Sequence, residues 1–179
     1  MYTYIALLRG INVNGQKIVP MEKLRALCED LGLTGVTTYI QSGNIVFQHA
    51  KVPAYLLEKK MKAAIQDASG FSVPVMVRTR EEWEGIVSGN PFVGKRGVDE
   101  SFLHVTVLSD APSRSVIDEI MAGEYGEDEC SISGKCVYLS CPGGYGKTKL
   151  SNTFFEKKTG LTATTRNWRT VLKLRELAD

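Results

Sequence analysis

The run VTTYIQSGNIVF, residues 36–47, decides the architecture. Val36–Ile40 and Ile45–Phe47 are rich in β-branched and aromatic residues and flank Gln41-Ser42-Gly43-Asn44, so they read as a β-hairpin. Upstream, Pro20 opens a helix whose Met21, Leu24, Leu27, Cys28 and Leu31 recur at helical spacing until Gly32, and Thr3–Leu8 ahead of it reads as a strand. Downstream, a second helix starts at Pro53, sets Leu57, Met61, Ala64, Ile65 and Ala68 on one face, stops near Gly70 and hands over to a strand at Val73–Val77. The first 80 residues therefore predict the order β-α-β-β-α-β.

The same order recurs without any repeat of letters. A short helix with a Thr79/Glu82 capping box and an apolar face of Trp83, Ile86 and Val87 leads through a loop at Asn90-Pro91 to a strand at Phe102–Leu108. Pro112 opens a helix carrying Val116, Ile117, Ile120 and Met121. Glu129–Ser133 and Lys135–Ser140 form a hairpin turning at Gly134, Leu150–Lys158 is the second helix, Thr162–Thr165 the closing strand, and a last helix turns Trp168, Val171, Leu172 and Ala178 inward. The expected fold class is α+β: two tandem ferredoxin-like (β-α-β-β-α-β) units with antiparallel sheets, plus a linker helix and a C-terminal helix. The expected division is 1–80, a linker at 81–100, and 101–179. With strand order 4-1-3-2, one end of the first unit collects Arg9–Val19 and the Gln41–Asn44 turn. One end of the second collects the Ser140–Lys149 loop and the exit of the last strand.

Composition narrows the function classes. Of 179 residues, 43% are hydrophobic and 23% charged, as in ordinary globular proteins, and the apolar stretches are strand-sized, so no membrane segment is expected. Without a basic leader or cleavage pattern, the expected location is cytoplasmic. Four cysteines suit reduced thiols, and their spacings with only two histidines match no zinc site, so neither metal nor cofactor is expected. Net charge is +2 but polarised: residues 1–80 carry +5, 81–134 carry −9, and 135–179 carry +6. The basic ends could steer an anionic ligand or pair with the acidic middle.

Four stretches could carry chemistry. In Arg9-Gly10-Ile11-Asn12-Val13-Asn14-Gly15-Gln16-Lys17, two glycines permit tight turns while the Arg9 guanidinium and the amides of Asn12, Asn14 and Gln16 could bind an anionic or planar ligand. The Ser42-Gly43-Asn44 turn would lie beside them. Cys141-Pro142-Gly143-Gly144-Tyr145-Gly146-Lys147-Thr148 approaches a phosphate-cradling loop, with Cys141 in place of its first glycine. Bare N–H groups at Gly143 and Gly144, a following helix, and Lys147 and Lys149 would suit a phosphate or carboxylate. In Thr164–Thr170, Arg166 and Arg169 at spacing i, i+3 could form a clamp for a phosphate or, as the favoured reading, pair with the acidic middle segment, with Trp168 between them as a core anchor. Each stretch also has a plain reading as a connector or turn. No nucleophile–base pair is visible around His49, His104 or Cys141.

Residues 6–13 (ALLRGINV), 19–21 (VPM), 39–47 (YIQSGNIVF), 147–150 (KTKL) and 164–170 (TTRNWRT) together resemble the bacterial family called domain of unknown function 1697, across essentially the whole chain and most specifically in the first 47 residues. The resemblance implies a cytoplasmic protein of two ferredoxin-like halves and carries over no catalytic residue. The expected function is a non-enzymatic module binding a phosphate-bearing or other anionic ligand, a nucleotide or nucleic acid. A small enzyme acting on an anionic metabolite and a protein-interaction scaffold are the alternatives.

Overall fold

A computed structural model describes all 179 residues. The chain divides into two units, Met1–Gly85 with Lys173–Asp179, and Ile86–Leu172. The fold is mixed α+β, with two four-stranded antiparallel sheets and six helices.

In the first unit β1 (Tyr2–Leu8), α1 (Met21–Asp30), β2 (Thr34–Tyr39), β3 (Asn44–His49), α2 (Ala54–Ser69) and β4 (Val75–Thr79) build a sheet of order β2-β3-β1-β4. Register is set by Tyr4 opposite Phe47 and Thr79, and Ala6 opposite Ile45 and Val77. Tyr4, Ala6 and Leu8 face one way and pack with Leu24 and Cys28 of α1 and Leu57, Met61 and Ile65 of α2. Ile5, Leu7, Val46 and Met76, on the other face, are buried as well, which is why β1 reads as an unbroken apolar run rather than an alternation. Pro20 and Pro53 are the N-caps of α1 and α2, and Gly70 closes α2 in the left-handed conformation.

α3 (Arg80–Ser88) starts on the expected capping box: the Thr79 N–H donates to Glu82 Oε2 (2.8 Å) and the Glu82 N–H to Thr79 Oγ1 (3.1 Å). The second unit then runs β5 (Leu103–Leu108), α4 (Arg114–Met121), β6 (Glu129–Ser133), β7 (Cys136–Ser140), α5 (Asn152–Thr159), β8 (Ala163–Asn167) and the start of α6 (Trp168–Ala178), whose residues from Lys173 onward belong to the first unit, with sheet order β6-β7-β5-β8. Its core joins Leu108, Val137, Leu139 and Ala163 of the sheet to Ile120 of α4 and Phe155 of α5.

Several sequence expectations shift: the strands expected at Val36–Ile40 and Val73–Val77 run Thr34–Tyr39 and Val75–Thr79. The helix expected at Leu150–Lys158 begins two residues later, because Ser151 takes the N-cap and accepts the Phe154 N–H (3.2 Å). The last strand extends to Asn167, since pairing with His104 continues the ladder past Thr165. In α6 Leu172 is exposed and Leu174 buried, because a helix beginning at Trp168 turns positions 168, 171, 174 and 178 inward.

Candidate functional site

The first unit gathers Arg9–Val19 and the Gln41–Asn44 turn at one end of its sheet. The Leu8 N–H donates to the Gly43 carbonyl (2.8 Å) and the Arg9 N–H to that of Pro74 (3.0 Å). Asn12 is the clamp: Nδ2 donates to the carbonyls of Val19 (3.0 Å) and Gln41 (2.8 Å), and Oδ1 accepts the Val19 N–H (2.8 Å). Asn44 is wholly buried, and its Nδ2 donates to the Tyr39 carbonyl and to Ser42 Oγ (2.9 Å each). The carboxamides of Asn12 and Asn44, with Ser42, are thus spent on the fold. Arg9 is half-buried at the root of the loop, while Asn14 and Gln16 are exposed. Lys17 Nζ donates to the Ser72 carbonyl (3.3 Å).

The second unit brings its own two stretches to one end of the sheet. His104 lies opposite Asn167 in β8 and Leu139 in β7, and the Cys141 N–H donates to the Phe102 carbonyl (3.1 Å). Tyr145 folds back onto His104 with ring centroids 4.8 Å apart and planes 23° from parallel. The Cys141–Leu150 loop and the exit of β8 therefore share this end. Lys147, Lys149 and Arg169 are exposed, and none of the three forms an ion pair.

Two local premises of the phosphate-cradle reading are corrected. The loop closes on itself: the Gly144 N–H donates to the Cys141 carbonyl (2.9 Å), that of Lys147 to Gly144 (3.1 Å) and that of Thr148 to Tyr145 (3.3 Å), so these amides are not bare. A 3₁₀ turn at Tyr145–Lys147, not an α-helix, follows the glycines, and α5 starts only at Asn152, where the Ser151 side chain caps it. Nor do Arg166 and Arg169 form an i, i+3 pair, since Arg166 still belongs to β8. It is buried, with Nη1 donating to Thr164 Oγ1 (2.8 Å) and to the Thr165 carbonyl (3.0 Å). Trp168 is buried, as a core anchor should be. Acidic groups of the middle segment do meet lysines of the same unit, in Lys135–Asp110 (3.3 Å) and Lys158–Glu119.

Sequence reasoning missed Tyr145. The signal was an aromatic ring between glycines in a loop leaving a strand beside the one that carries His104. The His104 Nδ1–H donates to the Phe102 carbonyl (3.2 Å), leaving Nε2 as the acceptor nitrogen. Burial holds the imidazole pKa below its ordinary value, and the bond to Phe102 opposes that shift. The folded chain therefore binds fewer protons here than the unfolded chain as pH falls through about 6.5, and stability drops in that window. Urea midpoints of the wild type and His104→Phe, measured from pH 8 to pH 5, should show the wild type losing more. Parallel curves would mean that the imidazole is ordinary.

The thiols of Cys28, Cys130 and Cys141 are poor nucleophiles. Burial pushes Cys28 up to about 12 and Cys130 to about 11. Burial also raises Cys141, partly offset by its hydrogen bond with Thr148. No three His, Cys, Asp or Glu side chains group in a way that could hold a metal ion.

A family model described as "Protein of unknown function (DUF1697)" matches residues 1–138. The chain belongs to this family. The matched residues include both stretches of the first unit's loop end and stop short of the Cys141–Thr148 and Thr164–Thr170 stretches. Among the solved structures that match is the conserved bacterial protein SP0830 from Streptococcus pneumoniae, 24% identical, with a TM-score of 0.75 over 99% of each chain. That likeness concerns the fold. No curated protein matches. No helix is long and apolar enough to cross a membrane.

Proposed function

We propose that the protein is a non-enzymatic binding module of two ferredoxin-like units, and that the second takes a phosphate-bearing ligand where its Cys141–Leu150 loop meets the exit of β8. In support of the fold reading, each unit has the element order β-α-β-β-α-β and the strand order 4-1-3-2. The observation that carries the site is the exposure of Lys147, Lys149 and Arg169, each without a carboxylate partner, at the sheet end where Tyr145 rests on His104.

Uncompensated ammonium and guanidinium groups suit phosphate oxygens, and a Tyr–His stack at the rim offers a nucleobase a flat neighbour. Binding is favoured over catalysis because burial raises the Cys28, Cys130 and Cys141 thiols and His104 has no nucleophile hydrogen-bonded to it. The ligand class is a nucleotide or a nucleic acid, and the two differ in salt dependence.

Thermal-shift measurements with nucleotides, sugar phosphates and oligonucleotides at two salt concentrations test this. At a hundred times its Kd a ligand contributes about 2.7 kcal/mol, which for a chain of this size is a rise of roughly 5–10 °C in Tm. The variant K147A/K149A/R169A should keep the unliganded Tm and lose the shift. An oligonucleotide should lose affinity steeply with salt, the slope falling by about one for each phosphate contact removed. If no phosphate compound moves the melting point, the site is something else.

A further inference from the structure

The loop end of the first unit presents a different surface. Val13, Ile18 and Ile40 are 54%, 56% and 47% exposed. Each adjoins an atom of the Asn12 clamp: Val13 follows Asn12, Ile18 follows Lys17, whose carbonyl accepts the Asn12 N–H (3.1 Å), and Ile40 precedes Gln41, whose carbonyl accepts Asn12 Nδ2. Asn12, through its main-chain N–H and its carboxamide, thus ties together the segments that carry these three exposed aliphatic side chains.

Ile40 has φ +50°, a left-handed conformation that β-branched residues avoid and that glycine or asparagine adopts readily. The backbone would be better served by either, and the core makes little use of so exposed a side chain. Beside the tip, Ile18, Leu24, Leu27, Ile65 and Ala68 line a concave apolar cavity of about 280 Å³ with Lys23 at its wall. From residue 9 to the end of α1 the charges are Arg9, Lys17, Lys23 and Arg25 against Glu22, Glu29 and Asp30, and Lys23 is the one charged residue that lines the cavity itself.

We propose that this tip is a docking surface for an acidic segment of another protein that lays an apolar side chain into the Ile18–Leu27–Ile65 hollow beside Val13 and Ile40. The positive charge of Lys23 at the cavity selects an acidic partner, and concavity favours an inserted side chain over a flat bilayer. Exposed apolar area held by a strained residue is the trade expected of a recognition surface. The proposal involves the first unit alone and is independent of the phosphate site of the second.

The test uses the full chain and three short fluorescein-labelled peptides, alternating Glu and Leu, Glu and Ser, or Lys and Leu, titrated by anisotropy at low and high salt. The Glu–Leu peptide should bind saturably and more weakly at high salt, and Ile40→Asn should reduce its affinity by about tenfold. Ile40→Asn should also melt at or above the wild type, by up to about 2–4 °C, because asparagine relieves the left-handed strain. The idea is overturned if the Glu–Ser or Lys–Leu peptide binds equally, if no peptide binds, or if Ile40→Asn keeps full affinity or lowers Tm. Phosphatidylserine vesicles captured by the wild type but not by Ile40→Asn would overturn it in favour of a membrane surface, and concentration-dependent self-association lost in that variant would do so in favour of a second copy.

Discussion

Gly43→Ala should destabilise the protein by about 2–5 kcal/mol, a large part of the stability of an ordinary domain. Two costs add. Gly43 has φ +80°, which an L side chain resists, and a Cβ there would stand 2.7 Å from Leu8 Cβ and 2.8 Å from Ile11 Cδ1. Leu8 and Ile11 are both buried in the core of the first unit, so neither can retreat cheaply. The close approach exists because the Leu8 N–H reaches the Gly43 carbonyl at 2.8 Å, drawing the hairpin tip onto the end of β1. Urea unfolding should show a lower midpoint with an unchanged slope. A midpoint within experimental error of the wild type would mean that the hairpin does not press on β1 in this way.

Asn12→Ala should cost about 2–4 kcal/mol. It deletes three hydrogen bonds, at about 1 kcal/mol each, and puts alanine where φ is +54°. Asn12→Asp is the sharper variant. Nδ2 donates to two carbonyl oxygens, and a carboxylate oxygen in its place would face both with repulsion instead of a bond. Asp is nearly isosteric, so volume cannot account for the loss. Asn12→Asp should therefore be destabilised at least as much as Asn12→Ala at neutral pH, and should recover part of the difference at acid pH where the carboxyl is protonated. If Asn12→Asp is as stable as the wild type, the carboxamide does not bridge the loop and the hairpin.

These two residues lie within the span that matches the family model, and their geometry gives them a role in the fold. Asn12, Gly43 and Asn44 are needed to fold the loop end, whatever that end binds. A ligand reading of Asn12 was natural from sequence, because a carboxamide between glycines is also what a binding loop offers. The register of three short hydrogen bonds separates the two uses, and no spacing rule encodes it. Gly43 was legible as a turn former. The closeness of Leu8 and Ile11 was not, since they lie more than thirty residues away.

At the second unit the sequence brought the right stretches to the right end. A strand's direction follows from the order of elements, and an antiparallel order fixes which loops become neighbours. It failed on Arg166. The run Thr164–Thr170 has equal local claims to be a strand end or a helix start, and side-chain direction alternates with every strand residue, so a ladder two residues longer buries the guanidinium instead of presenting it. It also failed in part on the glycine-rich loop, where the Gly144 amide, expected to be bare, bonds to the Cys141 carbonyl.

Periodicity, breakers and caps, all readable within a few residues, determined the helices and strands, their order, and the hairpins at Gln41–Asn44 and Gly134. Tertiary structure alone decided which polar groups are spent inside the fold and which remain for a partner. Asn12, Asn44 and Arg166 went inward, while Lys147, Lys149, Arg169 and the aliphatic tip at Val13, Ile18 and Ile40 stayed out. Local propensity is set by a residue's own backbone and near neighbours, whereas the fate of a donor or a methyl group is set by whatever distant chain the folded register brings within a few ångströms of it.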